Sequence, residues 1–218
     1  MRKNVLQYLE STAARLPDKV AFSDGTDSLT FGETLENTER VASVLAAAGY
    51  YGEAVTVLME RHPNELCAFF GIIDAGCFYV APDPSMPDAR LRKILETTAS
   101  RVVICDKKNE ETARALLLDG QVYLYDDLLM GEKQAELLSS VRSRQIDTDP
   151  IYIVFTSGST GVPKGVIACH RSVMDYAEAL SEALPFDETT VFGNQTPLYF
   201  DAPLKEILPT IRSGATTY

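Results

Sequence analysis

Ile151-Tyr152-Ile153-Val154-Phe155, followed by Thr156-Ser157-Gly158-Ser159-Thr160-Gly161-Val162-Pro163-Lys164-Gly165, is the stretch on which the fold turns. Five consecutive apolar residues predict a buried strand. The ten residues after it hold four hydroxyl side chains, three glycines and one lysine. That chemistry suits a polyphosphate. Glycines let backbone N–H groups approach phosphate oxygens with no Cβ in the way, hydroxyls donate further hydrogen bonds, and Lys164 makes the contacts charge-assisted. The same composition also describes a plain surface loop. It is not the common G-x-x-x-x-G-K-[ST] loop, because the sixth position from Gly158 is Pro163 and Gly165 follows the lysine. Composition alone leaves both readings open.

Outward from this stretch, apolar runs alternate with amphipathic ones, which predicts an α/β fold with a largely parallel sheet flanked by helices. Asn4 is placed to cap a helix from Val5 to Leu16. Lys19–Ser23 and Ser28–Thr30 predict short strands around the Asp24-Gly25-Thr26-Asp27 turn. Thr30 and Glu33 have the spacing of a capping box for a helix reaching Ala48, with Gly49 as its stop. Strands are predicted at Val55–Met59, Phe78–Ala81, Val102–Cys105, Val122–Tyr125 and Val191–Gln195. Helices are predicted at Pro63–Asp74, from Pro87 to Thr98, Glu110–Leu118, after His170, and Pro203–Arg212. The polar stretch 142–150 is the candidate linker.

Tyr152 to Val166 resembles the phosphate loop of the adenylate-forming superfamily, which includes acyl-CoA synthetases, luciferases and the amino-acid adenylation domains of nonribosomal peptide synthetases. Leu29-Thr30-Phe31-Gly32-Glu33-Thr34-Leu35 and Asp74-Ala75-Gly76-Cys77-Phe78-Tyr79-Val80-Ala81-Pro82-Asp83 look like two further signatures of that superfamily, both structural. The resemblance implies the N-terminal part of the large domain of the acyl- and aminoacyl-adenylate-forming fold. It also implies that Thr156, Ser157, Gly158, Ser159, Thr160, Gly161, Lys164 and Gly165 bind the phosphates of ATP, with Thr156 and Lys164 taking part in catalysis.

Pro197-Leu198-Tyr199-Phe200-Asp201-Ala202-Pro203 resembles the F-D-A-S segment of amino-acid adenylation domains, with Pro203 where the family usually has serine. There the aspartate binds the substrate ammonium, which implies that role for Asp201 and a place beside the substrate for Phe200. A carboxylate against a desolvated ammonium is strongly favoured over leaving the ammonium unpaired. Asp201 can also be read as a cap of the helix near Pro203. His170 either braces the phosphate loop or caps the helix after it, and His62 reads as a surface or helix-start residue.

The resemblance implies an ATP-dependent ligase. It would activate an amino acid as aminoacyl-AMP and pass it to the phosphopantetheine thiol of a carrier protein. An aryl- or acyl-acid coenzyme A ligase and a non-catalytic module of the same fold are the rival readings. The family's adenine, ribose and catalytic-lysine motifs, and most of its Mg²⁺ ligands, are expected beyond residue 218. Residues 1–218 on their own are expected to have little adenylation activity.

Composition narrows the partners. Of 218 residues, 45% are hydrophobic, enough for a real core. Lys+Arg total 20 against 31 Asp+Glu, a formal charge of -11. An acidic chain lacks the basic surface that nucleic-acid binding requires. The four cysteines form no C-x-x-C pair, so no zinc spacing is present. No apolar run approaches a membrane span, and no h-region follows Met1-Arg2-Lys3; a cytoplasmic location is expected.

Overall fold

The computed structural model describes residues 3–156 and 164–218. In chain order the elements are α1 Leu6–Arg15, β1 Val20–Ser23, β2 Ser28–Thr30, α2 Phe31–Ala47, β3 Ala54–Leu58, α3 Pro63–Asp74, β4 Phe78–Val80, α4 Asp88–Thr98, β5 Val102–Cys105 and α5 Glu110–Leu116. They continue as β6 Gln121–Leu124, α6 Tyr125–Leu129, α7 Ala135–Arg144, β7 Pro150–Thr156, β8 Lys164–Cys169, α8 His170–Ala183, β9 Val191–Phe192, α9 Leu204–Ser213 and β10 Thr216–Thr217.

Among the described residues the larger sheet runs β6-β5-β3-β4-β7-β8 and the smaller β2-β1-β10-β9. The larger is parallel except for the β7–β8 pair. Its central strand shows why the sequence is continuously apolar there. All five residues of β3 are buried, and successive side chains serve opposite faces. Val55, Val57, Val102 and Ile104 join the core that includes α2 and α3. Leu58, Val103 and Cys105 join Leu91, Leu95, Ala113 and Leu116 of α4 and α5 on the other side. Thr56, on that second face, satisfies its hydroxyl on Ser100 Oγ at 2.9 Å.

The expected caps form. Glu33 N–H donates to Thr30 Oγ1 at 3.1 Å while Thr30 N–H donates to Glu33 Oε2 at 2.8 Å. Leu6 N–H donates to Asn4 Oδ1 at 2.8 Å. Gly76 takes φ +76° where the chain leaves α3 for β4, and a Cβ there would meet the Tyr51 ring at 2.5 Å.

Three elements depart from expectation. Tyr125, expected at the end of a strand, begins α6 and is buried there. The stretch 142–150, expected as a linker, starts inside α7 and is fastened to its neighbours. Arg142 grips the buried Asp74, and Gln145, 3% exposed, donates to Ile73 O at 2.8 Å. The strand expected over Val191–Gln195 stops at Phe192.

Candidate functional site

Strands β3, β4, β5 and β7 are mutually parallel, so their carboxyl ends share one edge of the sheet. Helix α3, which follows β3, and α4, which follows β4, pack on opposite faces. Adjacent strands whose connections diverge in this way leave a crevice beyond their carboxyl ends. Arg61, Asp83 and Thr156 emerge along this edge.

Thr156 ends β7 and Lys164 begins β8; they are direct antiparallel partners. Thr156 Oγ1 donates to Lys164 O at 3.4 Å. Both side chains are exposed, and neither makes an ion pair with a described residue. The expected phosphate contacts of Ser157, Gly158, Ser159, Thr160 and Gly161 lie outside the described residues. Gly165 has a packing reason of its own: a Cβ there would sit 2.8 Å from Ile153 Cγ2.

Asp201 lies in the segment between β9 and α9. It lines a cavity of about 370 Å³ with Tyr152, Ser172, Val173, Tyr176, Ala202, Leu204 and Lys205. Its backbone carbonyl accepts from Leu204 N–H at 3.0 Å. Its side chain is not a helix cap, because α9 starts at Leu204 after Pro203 with no side-chain cap bond. Among the described residues nothing hydrogen-bonds the Asp201 carboxylate. Burial, with the Asp201 charge second, pushes the Tyr152 hydroxyl above its ordinary pKa. Phe200 stacks at a tilt on Tyr199, centroids 4.7 Å apart. It is 47% exposed and is not among the described residues lining the cavity.

Sequence reasoning missed Asp83, Tyr199, Tyr152 and Lys205. Asp83 accepts from Ser85 N–H and Oγ at 2.8 and 2.7 Å. Burial works to raise its carboxyl, but the Ser85 and Tyr199 hydrogen bonds together hold it below the ordinary value. Lys205, in the first turn of α9, stands four residues after Asp201 and lines the same cavity.

The histidines are structural. His170 is 2% exposed, and its Nδ1 accepts the Val5 N–H at 3.2 Å, so it ties α8 to α1. Nδ1 of His62 accepts the Asn64 N–H at 3.1 Å and caps α3. Its Nε2 faces Asp27 at 3.4 Å and Asp24 at 3.9 Å. The three groups are close enough to surround a cation. The donor chemistry opposes one: with its Nδ1 lone pair engaged, the neutral ring carries its proton on Nε2, the only nitrogen facing the carboxylates.

The sequence matches the family described as AMP-binding enzyme over residues 9–218. The D-alanine–D-alanyl carrier protein ligase of Bacillus velezensis is 30% identical over 98% of this chain and 42% of its own length. The nonribosomal peptide synthetase kk1B of Curvularia clavata is 28% identical over 98% of this chain and 2% of its own. The structure of the nonribosomal peptide synthetase FmoA3 bound to α-methyl-L-serine-AMP superposes with a TM-score of 0.87 at 24% identity, covering 98% of this chain and 23% of that one. VinN in complex with 3-methylaspartate gives 0.83 at 22% identity, covering all of this chain and 62% of that one. The chain thus spans less than two thirds of these relatives.

Proposed function

This chain belongs to the AMP-binding enzyme family, and from that premise we propose that it carries the phosphate-binding and ammonium-binding parts of a ligase that activates an amino acid with ATP. The carrying observation is Asp201, whose carboxylate opens on a cavity of about 370 Å³ with no hydrogen bond from a described residue. A carboxylate placed so is completed by an ammonium group. One relative named as a peptide synthetase and another named as a ligase of D-alanine support the same substrate class.

In this reading the amino-acid carboxylate attacks the α-phosphorus of ATP. A bond forms between a carboxylate oxygen and the α-phosphorus, the bond from that phosphorus to the bridging oxygen of the β-phosphate breaks, and pyrophosphate leaves. Two anions must meet, so the site has to offset their repulsion with cations and oriented donors. Thr156 and Lys164 flank the loop that would hold the departing phosphates, together with Ser157, Gly158, Ser159, Thr160 and Gly161. Asp201 holds the ammonium and so orients the carboxylate. The family also implies Mg²⁺. Asp24, Asp27 and His62, the group of described residues close enough to surround a cation, do not fit it for the tautomer reason above, and they take no part in the reaction. The adenine and ribose contacts and a catalytic lysine are assigned in this proposal to sequence beyond these residues. The sulfur of a carrier-protein phosphopantetheine thiol then attacks the aminoacyl carbonyl, a thioester forms, the thiol proton is released and AMP leaves. A cytoplasmic setting suits ATP supply and the four free cysteines; among the described residues no helix is long and apolar enough to cross a membrane.

The test is kinetic, in the whole protein that contains this chain. Asp201→Ala is expected to raise the amino-acid KM far more than the ATP KM. Equal effects on both would remove the ammonium role.

A further inference from the structure

Asp201 sits near the end of segment 193–203, which forms neither helix nor strand. Asn194 N–H donates to Tyr218 O at 2.6 Å, and beyond it the segment's main-chain bonds are local: Phe200 N–H to Pro197 O and Leu204 N–H to Asp201 O. Among the described residues, no main-chain hydrogen bond ties residues 195–200 to another element, and Asp201 is tied only through its carbonyl to the first residue of α9. A carboxylate that must meet an ammonium in one geometry therefore depends on side chains for its position.

Those side chains form a stitch. Asn194 Nδ2 donates to Glu206 Oε2 at 3.2 Å, closing the segment base to base. Both residues are buried, at 8% and 9% exposure. Arg61 arrives from the connection between β3 and α3. Its Nη2 donates to the Asn194 carbonyl and, at 3.1 Å, to Asn194 Oδ1. With Oδ1 held by Arg61, the Asn194 amide nitrogen is the group left for Glu206. The Glu206 charge is offset by the Arg61 guanidinium through Asn194 and by Lys205 Nζ at 3.5 Å.

We propose that Arg61 is a positioning residue for Asp201: by gripping Asn194 it closes the loop that presents the ammonium-binding carboxylate to the cavity. The inference rests on the ammonium reading of Asp201. Arg61 does not line the cavity, so it acts through Asn194 and Glu206 rather than on the ligand.

The experiment uses this chain, with AMPPNP and a pooled set of the common L-amino acids as probes. Saturation-transfer NMR reads binding, and amide hydrogen exchange reads the loop. Arg61→Gln is expected to speed exchange across 195–203 and to weaken amino-acid binding by about tenfold, the loss of one charge-assisted contact, while AMPPNP affinity holds within about twofold. Arg61→Lys keeps the charge and a donor. It is expected to lose about threefold, and it carries the test where the glutamine variant does not fold. Unchanged amino-acid binding in both variants, or an equal loss of AMPPNP, overturns the positioning role. Asp201→Ala separates the two failures. If it leaves amino-acid binding intact, the ammonium reading falls and this inference with it. If it abolishes binding while the Arg61 variants do not alter it, only the positioning role falls. A wild-type chain that binds no amino acid removes both.

Discussion

The Val5 N–H donates to Nδ1 of His170 at 3.2 Å, joining the N-terminus of α1 to the first residue of α8. Burial pushes the imidazole down to about 4, against the upward pull of Asp149 and Asp147. The folded state holds it neutral, whereas the unfolded chain protonates it near 6.5. The stabilisation is therefore complete above about pH 6.5 and is lost as pH falls toward 4, by about 3 kcal/mol in all. Urea unfolding at a series of pH values should show this slope, and His170→Gln should flatten it. An unchanged slope in that variant would assign the effect to other groups.

Arg142 and Asp74 form a two-point ion pair, Nε to Oδ1 at 2.7 Å and Nη2 to Oδ2 at 2.6 Å. Asp74 is fully buried, which raises its carboxyl, and the Arg142 hydrogen bonds oppose that rise. Arg142→Ala leaves a buried carboxyl without its partner and is expected to cost about 3–5 kcal/mol. Replacing both residues with apolar ones of similar volume should recover most of it. Chemical denaturation of the two single variants and the double variant checks this; additive losses would refute it.

Gly71 of α3 lies against Val41 of α2, and a Cβ on Gly71 would stand 2.5 Å from Val41 Cβ. Gly71→Ala is expected to destabilise by about 1–3 kcal/mol through overpacking, despite alanine's better helix propensity. Val41→Ala in the same chain should relieve the clash. A Tm for the double variant below that of both single variants would contradict this.

Asp201 and Lys205 line one cavity with opposite charges. A ligand carrying a second carboxylate finds a charge partner there that a neutral amino acid does not use. Lys205→Glu is expected to weaken L-glutamate or L-aspartate binding about threefold to tenfold relative to L-leucine, the range for a partly solvated pair. Equal changes for acidic and neutral ligands would exclude Lys205 from recognition.

The parts of this fold that the sequence announces are those with local causes. β3 and β5 are apolar runs, α3 is bracketed by Pro63 and Gly76, and Thr30 and Glu33 carry their own cap. α7 is hidden from such a reading because its short apolar stripe buries only Leu138 and Val141. The site divides the same way. Thr156, Lys164 and Asp201 are readable in short strings. Arg61 and Asn194, 133 positions apart, meet only because the connection after β3 and the segment after β9 come together in the fold, and no spacing rule encodes that.

In the proposed function this chain binds phosphate at Lys164 and ammonium at Asp201. Titration calorimetry of the chain with AMPPNP and with the amino acids found by saturation transfer tests it most directly, in wild type, Lys164→Ala and Asp201→Ala. Lys164→Ala is expected to weaken AMPPNP binding by about tenfold and leave amino-acid binding unchanged, and Asp201→Ala is expected to do the reverse. Loss of both ligands in either variant, or of neither in both, would contradict it.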